Sequence, residues 1–234
     1  MNVSWQDYGP PAGFRLQSVP VSLADRLEKC YSGAVFDVLR EKGLPNQALP
    51  HGIRPLNASW KLAGPVFPVS GRRTTSLGVH ETILEWTTFL SKAPSGSVVM
   101  CQPNDLTMAH MGELSSETLQ HRGVRGYIVD GGTRDSAFIL ELGFRVFCRY
   151  TTPSDIAGKW VMDSLGKPIT IGSLTIKQGD YVMADQDGVV IIPEAIVGEV
   201  VEATEEVLRR ESLVRKAILE GVDPREAYLK FGKF

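Results

Sequence analysis

The stretch from residue 97 to residue 149 decides the fold: SVVMCQPNDLTMAHMGELSSETLQHRGVRGYIVDGGTRDSAFILELGFRVFCR. It contains three short apolar runs, typical of buried strands, separated by two segments with helical spacing of apolar residues. The strand-like runs are Ser97–Gln102, Val124–Val129 and Phe144–Arg149, and the helical segments are Gly112–Gln120 and Ser136–Leu142. This β-α-β-α-β order predicts a parallel sheet with right-handed crossover connections.

Upstream of this core the sequence predicts three helices and one interrupted strand. The elements are a helix capped by Ser22 that runs through Leu27 to Cys30, a helix over Ser32–Glu41 that ends at Gly43, a strand over Trp60–Val69, and a helix over His80–Leu90. Gly64, Pro65 and Pro68 are expected to break the strand, because proline cannot donate to a sheet ladder.

Downstream of Pro153 the pattern changes to short apolar runs separated by turns. Three such runs, Ile169–Ile176, Tyr181–Asp185 and Gly188–Ile192, predict a β-meander. A long amphipathic helix over Pro193–Glu220 and a short helical tail from Pro224 follow. We therefore predict one α/β domain over residues 22–220, with an N-terminal arm (1–21) and a C-terminal helical tail (221–234).

The composition fits an ordinary globular protein with a packed core better than a nucleic-acid-binding or membrane protein. Hydrophobic residues make up 43% and charged residues 22% of the chain, and the formal net charge is -2. A nucleic-acid partner would require clustered basic residues, and a membrane span would require about 18 consecutive apolar residues. We expect a cytoplasmic protein in which Cys30, Cys101 and Cys148 are buried free thiols.

Two predicted strand ends carry residues suited to binding a small acid. The helix that opens at Gly112-Glu113-Leu114 offers unpaired N–H groups and a dipole that favour an anion, and Gly112 allows close backbone approach. Asp130–Asp135 (DGGTRD) is expected to be a tight turn after the next strand. There Arg134 can fork onto a carboxylate or an enolate, and Asp135 is a hard oxygen ligand suited to Mg²⁺ or Mn²⁺.

From the residues alone, simpler roles remain open. Asp135 could N-cap the helix that begins at Ser136, Arg134 could be a surface charge, and Glu113 could be a first-turn acid favoured by the helix dipole. His110 could line the pocket, although a structural role is the simpler reading. Three further residues are read as non-catalytic: Asp185 and Asp187 as turn residues, and Lys61 as a poor candidate for a Schiff-base lysine.

Residues Gly112–Pro153 resemble the core of the RraA-like family, in which an acidic residue, twenty intervening residues and Arg-Asp form the most specific motif. Here the motif is Glu113 followed, after residues 114–133, by Arg134-Asp135. The similarity extends over roughly residues 22–220. The family includes class II 4-hydroxy-4-methyl-2-oxoglutarate and 4-carboxy-4-hydroxy-2-oxoadipate aldolases, and regulators of a bacterial ribonuclease. The resemblance implies a single domain of the swivelling β/β/α type.

The resemblance also implies roles for the site residues. It assigns substrate contact to Arg134, direct binding of a divalent metal to Asp135, and a water on that metal to Glu113. The backbone amides of Gly112, Glu113, Leu114 and Ser115 would hold the 2-oxo acid. Family aldolases often carry Asp where this chain has Glu113, which leaves the exact substrate open. A glutamate from the last helix of a neighbouring subunit would complete the site; Glu211 is favoured over Glu205 and Glu206.

The implied activity is cleavage of a 4-hydroxy-2-oxo di- or tricarboxylic acid to pyruvate, with oxaloacetate decarboxylation as a side activity, in a homotrimer or homohexamer. The alternatives are a non-catalytic ribonuclease regulator, or a lyase for a sugar-derived 2-oxo acid. A methyltransferase is disfavoured because no glycine-rich nucleotide loop follows an early strand. The loops 71–75, with Arg72-Arg73, and 151–159 are expected to face the distal half of the substrate.

Overall fold

The helices form where the sequence has apolar residues at helical spacing and glycine near the helix ends. The computed structural model describes residues 21–232. Its helices are α1 (Leu23–Glu28), α2 (Ser32–Glu41), α3 (Val79–Lys92), α4 (Glu113–His121), α5 (Ser136–Leu142), α6 (Val197–Leu219, preceded by a 3-10 turn over Glu194–Ile196) and α7 (Pro224–Phe231). The predicted helices are confirmed, with α1 ending two residues before Cys30. Residues 1–20 of the predicted arm lie outside the described residues.

The strands are short, and all but a few are rich in buried aliphatic residues. They are β1 (Arg54–Pro55), β2 (Leu62–Arg73), β3 (Val98–Gln102), β4 (Gly126–Val129), β5 (Gly132–Thr133), β6 (Val146–Cys148), β7 (Tyr150–Thr151), β8 (Trp160–Leu165), β9 (Ile169–Ile171), β10 (Leu174–Ile176), β11 (Tyr181–Asp185) and β12 (Gly188–Ile192). The main sheet has the order β1-β6-β4-β3-β2-β11-β12, with β8 also paired to β2. It curls into a nearly closed, barrel-like sheet.

The predicted parallel core is confirmed. Strand β3 pairs parallel with both β2 and β4, and β4 pairs parallel with β6. Alternate residues of β3 point to opposite faces: Val98 and Met100 join one apolar cluster, and Val99 and Cys101 join another. Because both faces of the sheet are covered, these strands are continuous runs of apolar residues and do not alternate apolar with polar residues.

Three apolar clusters cover the sheet. The first packs helices α3, α4 and α5 on one face, around Phe89, Leu119 and Ile139. The second lies between the opposite face and the hairpin β9–β10. The third packs α1, α2 and α6 against the outer side of β11 and β12. The helices α3–α5 and the helix α6 therefore lie on different sides of the domain.

The predicted interruption of the first core strand is wrong. Strand β2 runs unbroken through Gly64, Pro65 and Pro68. A proline removes an N–H donor but keeps its carbonyl acceptor, and the Pro68 carbonyl accepts a hydrogen bond from the Gly166 amide. The strand also has partners along its length, since β11, β3 and β8 pair with successive parts of it.

The predicted β-meander is also corrected. Hairpin β9–β10 is a separate two-stranded sheet, whereas β11–β12 extends the main sheet beyond β2. Strand β8 was not predicted. The predicted tight turn Asp130–Asp135 contains the short strand β5, which pairs with β7.

Other global expectations concern thiols and membrane spans. Cys30, Cys101 and Cys148 are buried free thiols, as predicted. Among residues 21–232, the search for a helix with the length and hydropathy of a bilayer span finds none.

Candidate functional site

A pocket of about 320 Å³ opens where the loops after β3 and β4 meet, at the carboxyl ends of neighbouring parallel strands. It gathers every predicted residue of these two strand ends into one place: Gly112, Glu113, Leu114, Ser115, Arg134 and Asp135. His110 and three residues of the loop 151–159, both of which the sequence suggested, also line the pocket, and Ile83, Trp86, Ala109 and Met111, which the sequence did not indicate, complete the lining.

The start of helix α4 forms one side of the pocket. Gly112 occupies the N-cap position with an extended backbone and, being glycine, supplies no side-chain cap. The first-turn N–H groups of a helix have no acceptor within the helix. Here the Glu113 N–H donates to Asp135 Oδ2 at 3.2 Å, so one of the predicted anion-binding amides already has a protein carboxylate as partner.

Two hydrogen bonds to one backbone carbonyl hold the Arg134-Asp135 segment beside this helix. The Arg134 amide and the Thr133 hydroxyl both donate to the Met111 carbonyl, at 2.9 and 3.1 Å. A Cβ atom at Gly112 would lie 2.7 Å from Asp135 Oδ2. Glycine is therefore required here for the space that the Asp135 carboxylate fills, since the backbone of Gly112, at φ -154°, suits any residue.

Asp135 does not cap its own helix, so that simpler reading is wrong. Its backbone is left-handed, with φ 55° and ψ 34°, and its side chain makes no cap hydrogen bond to α5. A non-glycine residue in this region costs roughly 1–3 kcal/mol and is held there by its surroundings. The conformation turns the carboxylate across the pocket towards the Glu113 amide.

Arg134 is held between two carboxylates and is not a free surface charge. Its Nε lies 3.4 Å from Asp135 Oδ2, and its Nη1 lies 3.3 Å from Asp155 Oδ2. The Asp155 carboxylate also contacts Lys159 Nζ at 3.5 Å. Arg134 keeps 40% of its side-chain surface exposed, so part of the guanidinium remains available to a ligand.

Part of the pocket lining is apolar. Trp86 donates from Nε1 to Ser115 Oγ at 2.9 Å, and its ring packs edge-on against Phe89 and Trp160. Ile83 and Ile156 extend this surface. Ile83 and Trp86 come from helix α3, which no local motif linked to the site, whereas Ile156 belongs to the loop 151–159.

Of the two loops expected to face the distal half of the substrate, one lines the pocket and the other does not. Loop 151–159 lines the pocket through Asp155, Ile156 and Ala157, as predicted. No residue of loop 71–75 is in the lining. Arg72 lies 3.6 Å from Asp163, and Arg73 lies 3.4 Å from Asp105, so both arginines have carboxylate partners outside the pocket.

His110 is among the lining residues of the pocket and is fully buried. Within the described part of the chain, neither ring nitrogen has a hydrogen-bond partner, and Nε2 is 3.8 Å from Asp105 Oδ2. Burial lowers the pKa of His110 to about 4, and the Asp105 carboxylate only partly opposes this. The ring packs edge-on against Trp160 at 5.0 Å. His110 is therefore a neutral residue near neutral pH.

The candidate glutamates of α6 lie away from this pocket. Both Glu211 carboxylate oxygens accept from the Tyr31 hydroxyl, at 2.8 and 2.7 Å, and burial together with Glu211 raises the pKa of Tyr31 to about 12. Glu205 pairs with Arg26, and Glu206 pairs with two arginines of its own helix. None of the three lines the pocket of its own chain.

The structure also shows the surroundings of Asp185, which was predicted to be a turn residue, and of Lys61, which was predicted to be non-catalytic. Asp185 is more than a turn residue, because its buried carboxylate accepts from the Ser32 amide and hydroxyl, both at 2.7 Å, and so caps α2. Lys61 donates to the Cys30 carbonyl at 2.6 Å and is not part of the pocket, which agrees with a structural role.

The metal-binding capacity of the pocket rests on few side chains. Within residues 21–232, no three His, Cys, Asp or Glu side chains are grouped so that they could hold a metal ion. Asp135 and Glu113 offer two carboxylates on one rim. Mg²⁺ commonly takes one or two protein carboxylates and completes its shell with water and substrate oxygens, so this donor set fits such an ion.

A barrel-like α/β sheet with a pocket at the ends of its parallel strands places the chain among proteins whose ligand sites lie at that edge. Residues 32–191 match the family model RraA-like, described as Aldolase/RraA. The chain therefore belongs to the RraA-like family.

Three similar proteins illustrate the range of this family and fold. A Halalkalibacterium halodurans protein named "Putative 4-hydroxy-4-methyl-2-oxoglutarate aldolase" is 29% identical over 80% of this chain and 85% of its own. A crystal structure described among "novel cellulases from microbes associated with the gut ecosystem" is 31% identical, with TM-score 0.77, over 86% of this chain and 91% of that one. Streptomyces coelicolor RraAS2, described as an unusual member of the RNase ES inhibitor RraA protein family, shares the fold at 23% identity and TM-score 0.74, over 83% and 96% of the two chains.

Proposed function

We propose that this protein is a divalent-metal-dependent aldolase that cleaves a 4-hydroxy-2-oxo acid of the 4-hydroxy-4-methyl-2-oxoglutarate type to pyruvate and a second 2-oxo acid. The observation that carries the proposal is the left-handed backbone of Asp135, which turns its carboxylate onto the start of α4 beside the Arg134 guanidinium. The aldolase name of the Halalkalibacterium halodurans relative supports the same class of reaction.

Different residues of the pocket bind the substrate, hold the metal ion and stabilise the charge that develops during bond cleavage. The free N–H groups at the start of α4 hold the substrate carboxylate, and Arg134 binds the 2-oxo oxygen. Asp135 directly, and Glu113 through water, would hold Mg²⁺ or Mn²⁺, which supplies Lewis-acid polarisation of the 2-oxo group when bound. Arg134 stabilises the negative charge that develops on the oxygen as the enolate forms.

The bond changes balance as follows. The C4 hydroxyl loses its proton and becomes a carbonyl, the C3–C4 bond breaks, and its electron pair forms the pyruvate enolate, which takes a proton at C3. We assign acceptance of the hydroxyl proton to Glu113, with Glu211 of a neighbouring subunit completing the site. Loss of carbon dioxide from oxaloacetate gives the same enolate, so decarboxylation is the expected side activity.

We further propose that the active form is a homotrimer or a stacked homohexamer. The support is positional: Glu211 lies on α6, which packs with α1 and α2, whereas the pocket lies with α3 and α4. A glutamate on α6 therefore reaches a pocket only by belonging to another copy of the chain.

The test is pyruvate release from 4-hydroxy-4-methyl-2-oxoglutarate and from oxaloacetate, with Mg²⁺, with Mn²⁺ and with excess chelator. We expect release that depends on the metal and that falls by at least about 100-fold in Asp135→Asn, which keeps the shape of the side chain and removes its charge. Asp163→Asn, in an exposed residue of β8, is the matched control and retains activity. Release that survives both chelation and Asp135→Asn would contradict the proposal.

Two other readings make different predictions. If no 4-hydroxy-2-oxo acid releases pyruvate with any metal, a lyase for a sugar-derived 2-oxo acid or a protein-binding regulator becomes the better reading. Glycoside hydrolysis is not favoured by the pocket. A glycosidase places two carboxyl groups about a neutral sugar, whereas here Arg134 and the open amides of α4 suit an anion.

A further inference from the structure

The Arg134 side chain depends on neighbouring residues for its orientation. An arginine side chain is long and has many rotamers, and 40% of the Arg134 side chain is exposed. Two carboxylates contact its guanidinium at different atoms: Asp135 Oδ2 lies 3.4 Å from Nε, and Nη1 donates to Asp155 Oδ2 at 3.3 Å. Because the guanidinium is planar, contacts at two of its nitrogen atoms restrict its rotation more than one contact does.

The backbone beside Asp155 is fixed to the same part of the site as Arg134. The Ser154 carbonyl accepts a hydrogen bond from the Ala109 amide at 2.7 Å. The strand that leads into this loop, β7, pairs with β5, and the last residue of β5, Thr133, directly precedes Arg134 in the chain. The carboxylate and the guanidinium are therefore attached to one pair of strands, which fixes their relative position.

The two oxygens of the Asp155 carboxylate have different partners. Oδ2 accepts from Arg134, whereas Oδ1 lies 3.5 Å from Lys159 Nζ. The side chains of Asp155 and Lys159 are 40% and 49% exposed, and ion pairs as exposed as these contribute little to stability. The arrangement consequently orients the Asp155 carboxylate towards Arg134 while adding little to the free energy of folding.

Building on the proposed function, we propose that Asp155 is a positioning residue, which, together with Lys159, holds the Arg134 guanidinium in the orientation that stabilises the enolate oxygen. Asp155 acts through Arg134 and does not itself contact the reacting atoms. Its contribution is therefore to the rate of bond cleavage and not to the binding of the substrate.

Two effects of the Asp155 carboxylate oppose each other. Its negative charge repels the anionic substrate and the enolate, but at this exposure the repulsion changes a rate or an affinity by at most about fivefold. Loss of the orientation of a catalytic group has a larger effect, roughly 100-fold for a displacement of about 1 Å. Removal of the carboxylate should accordingly slow the reaction without weakening the binding of the substrate.

The experiment measures kcat, KM and the melting temperature, using 4-hydroxy-4-methyl-2-oxoglutarate and the full chain with saturating Mg²⁺ or Mn²⁺. In Asp155→Asn, which keeps the shape of the side chain, we expect kcat to fall by at least about tenfold. KM should stay the same or fall by up to about fivefold, because a negative charge is lost beside an anion. The melting temperature should change by less than about 2 °C.

Asp163→Asn is the matched control for this substitution. The Asp163 side chain is also 40% exposed and also contacts an arginine, Arg72, at 3.6 Å, but neither residue lines the pocket. The control should leave kcat and KM unchanged.

A double-mutant cycle tests whether Asp155 acts through Arg134. Arg134→Lys keeps the positive charge and removes the planar guanidinium whose orientation is at issue. Asp155→Asn should therefore lower kcat by less than about threefold in the Arg134→Lys background.

The outcomes separate this inference from the proposed function. A fall in kcat without a rise in KM supports the inference if it is lost in the Arg134→Lys background and absent from Asp163→Asn. An unchanged kcat, a raised KM, or an equal fall in kcat with and without Arg134→Lys overturns the inference and leaves the aldolase assignment standing. Absence of pyruvate release from the wild type overturns the aldolase assignment and the inference with it.

Discussion

Gly112 lies against the Asp135 side chain, so a substitution at Gly112 tests whether activity depends on the position of the Asp135 carboxylate. In Gly112→Ala the added Cβ would lie 2.7 Å from Asp135 Oδ2, and the carboxylate, being the free end of a side chain, would rotate away. We expect the free energy of unfolding to change by less than about 1 kcal/mol. Pyruvate release should fall by roughly 100-fold, because displacement of a catalytic group by about 1 Å has effects of that size.

The control for this substitution is Gly198→Ala. Gly198 lies in α6, and a Cβ there would meet no atom within 4 Å. Alanine in place of a helical glycine should raise the free energy of unfolding by about 0.5–1 kcal/mol, with no loss of activity. Unchanged activity in Gly112→Ala would show that the Asp135 carboxylate is not needed where the structure places it.

His110 predicts how stability depends on pH. Its pKa is about 4 in the folded protein and near 6.5 in the unfolded chain. Between these values the unfolded state binds the extra proton, so stability falls as the pH is lowered from 6.5 to 4, by up to about 3 kcal/mol. In urea unfolding near pH 7 and near pH 4.5, His110→Phe should lose less stability than the wild type. The exposed His121, changed to Phe, should leave the wild-type dependence intact.

At the level of elements, the start of α2 depends on a residue from β11. Asp185 accepts from both the amide and the hydroxyl of Ser32, and its carboxylate is buried. Asp185→Ala should lower the free energy of unfolding by about 2 kcal/mol, because a charge-assisted cap is lost and the Ser32 donors are left buried. Asp187→Ala, in the exposed part of the same turn, should change it by less than about 0.5 kcal/mol. Chemical denaturation measures both.

Helices whose ends are marked by a nearby glycine could be predicted from the sequence. The bounds of α2 and α5 are those expected, and glycines at 43 and 143, both with positive φ, mark where each helix ends. The extension of β2 beyond Val69 and the whole of β8 could not be predicted, because these segments depend on pairing with each other across about 90 residues of chain. The mixed sequence of β8, WVMDSL, does not indicate a strand until β2 lies beside it.

The residues of the candidate site also divide into those that the sequence could predict and those that it could not. Glu113, Arg134 and Asp135 follow consecutive parallel strands, so their proximity could be expected from the order of elements. Trp86 enters from α3, and only tertiary packing brings it to the pocket. Asp155 lies in the loop 151–159, which was expected at the substrate, but the sequence did not indicate its contact with Arg134. For Gly112 the sequence predicted close approach of a ligand to the backbone; the group that lies against Gly112 in the structure is the Asp135 carboxylate.

For the whole molecule, the position of Glu211 predicts complementation between inactive variants. Arg134→Ala and Glu211→Gln should each be inactive alone. Mixed subunits, unfolded and refolded together, should regain about a quarter of wild-type activity, since in a random ring about one interface in four joins an intact Arg134 to an intact Glu211. Pyruvate release after mixing is the measurement.

A second mixture provides the control. Arg134→Ala with Asp135→Asn damages the same half of the site in every subunit, so no interface in that mixture can be intact and no activity should return. Recovery of activity in both mixtures would show that recovery does not depend on joining an intact Arg134 to an intact Glu211. Glu211→Gln that is active alone, or a first mixture that stays inactive, would remove Glu211 from the site.

The left-handed backbone of Asp135 has a consequence for protein engineering. Glycine adopts this conformation without strain, so Asp135→Gly should raise the melting temperature while it removes the carboxylate. A library screened only for heat resistance would accordingly enrich an inactive protein at this position, and consensus or directed-evolution campaigns on this chain need an activity screen from the first round.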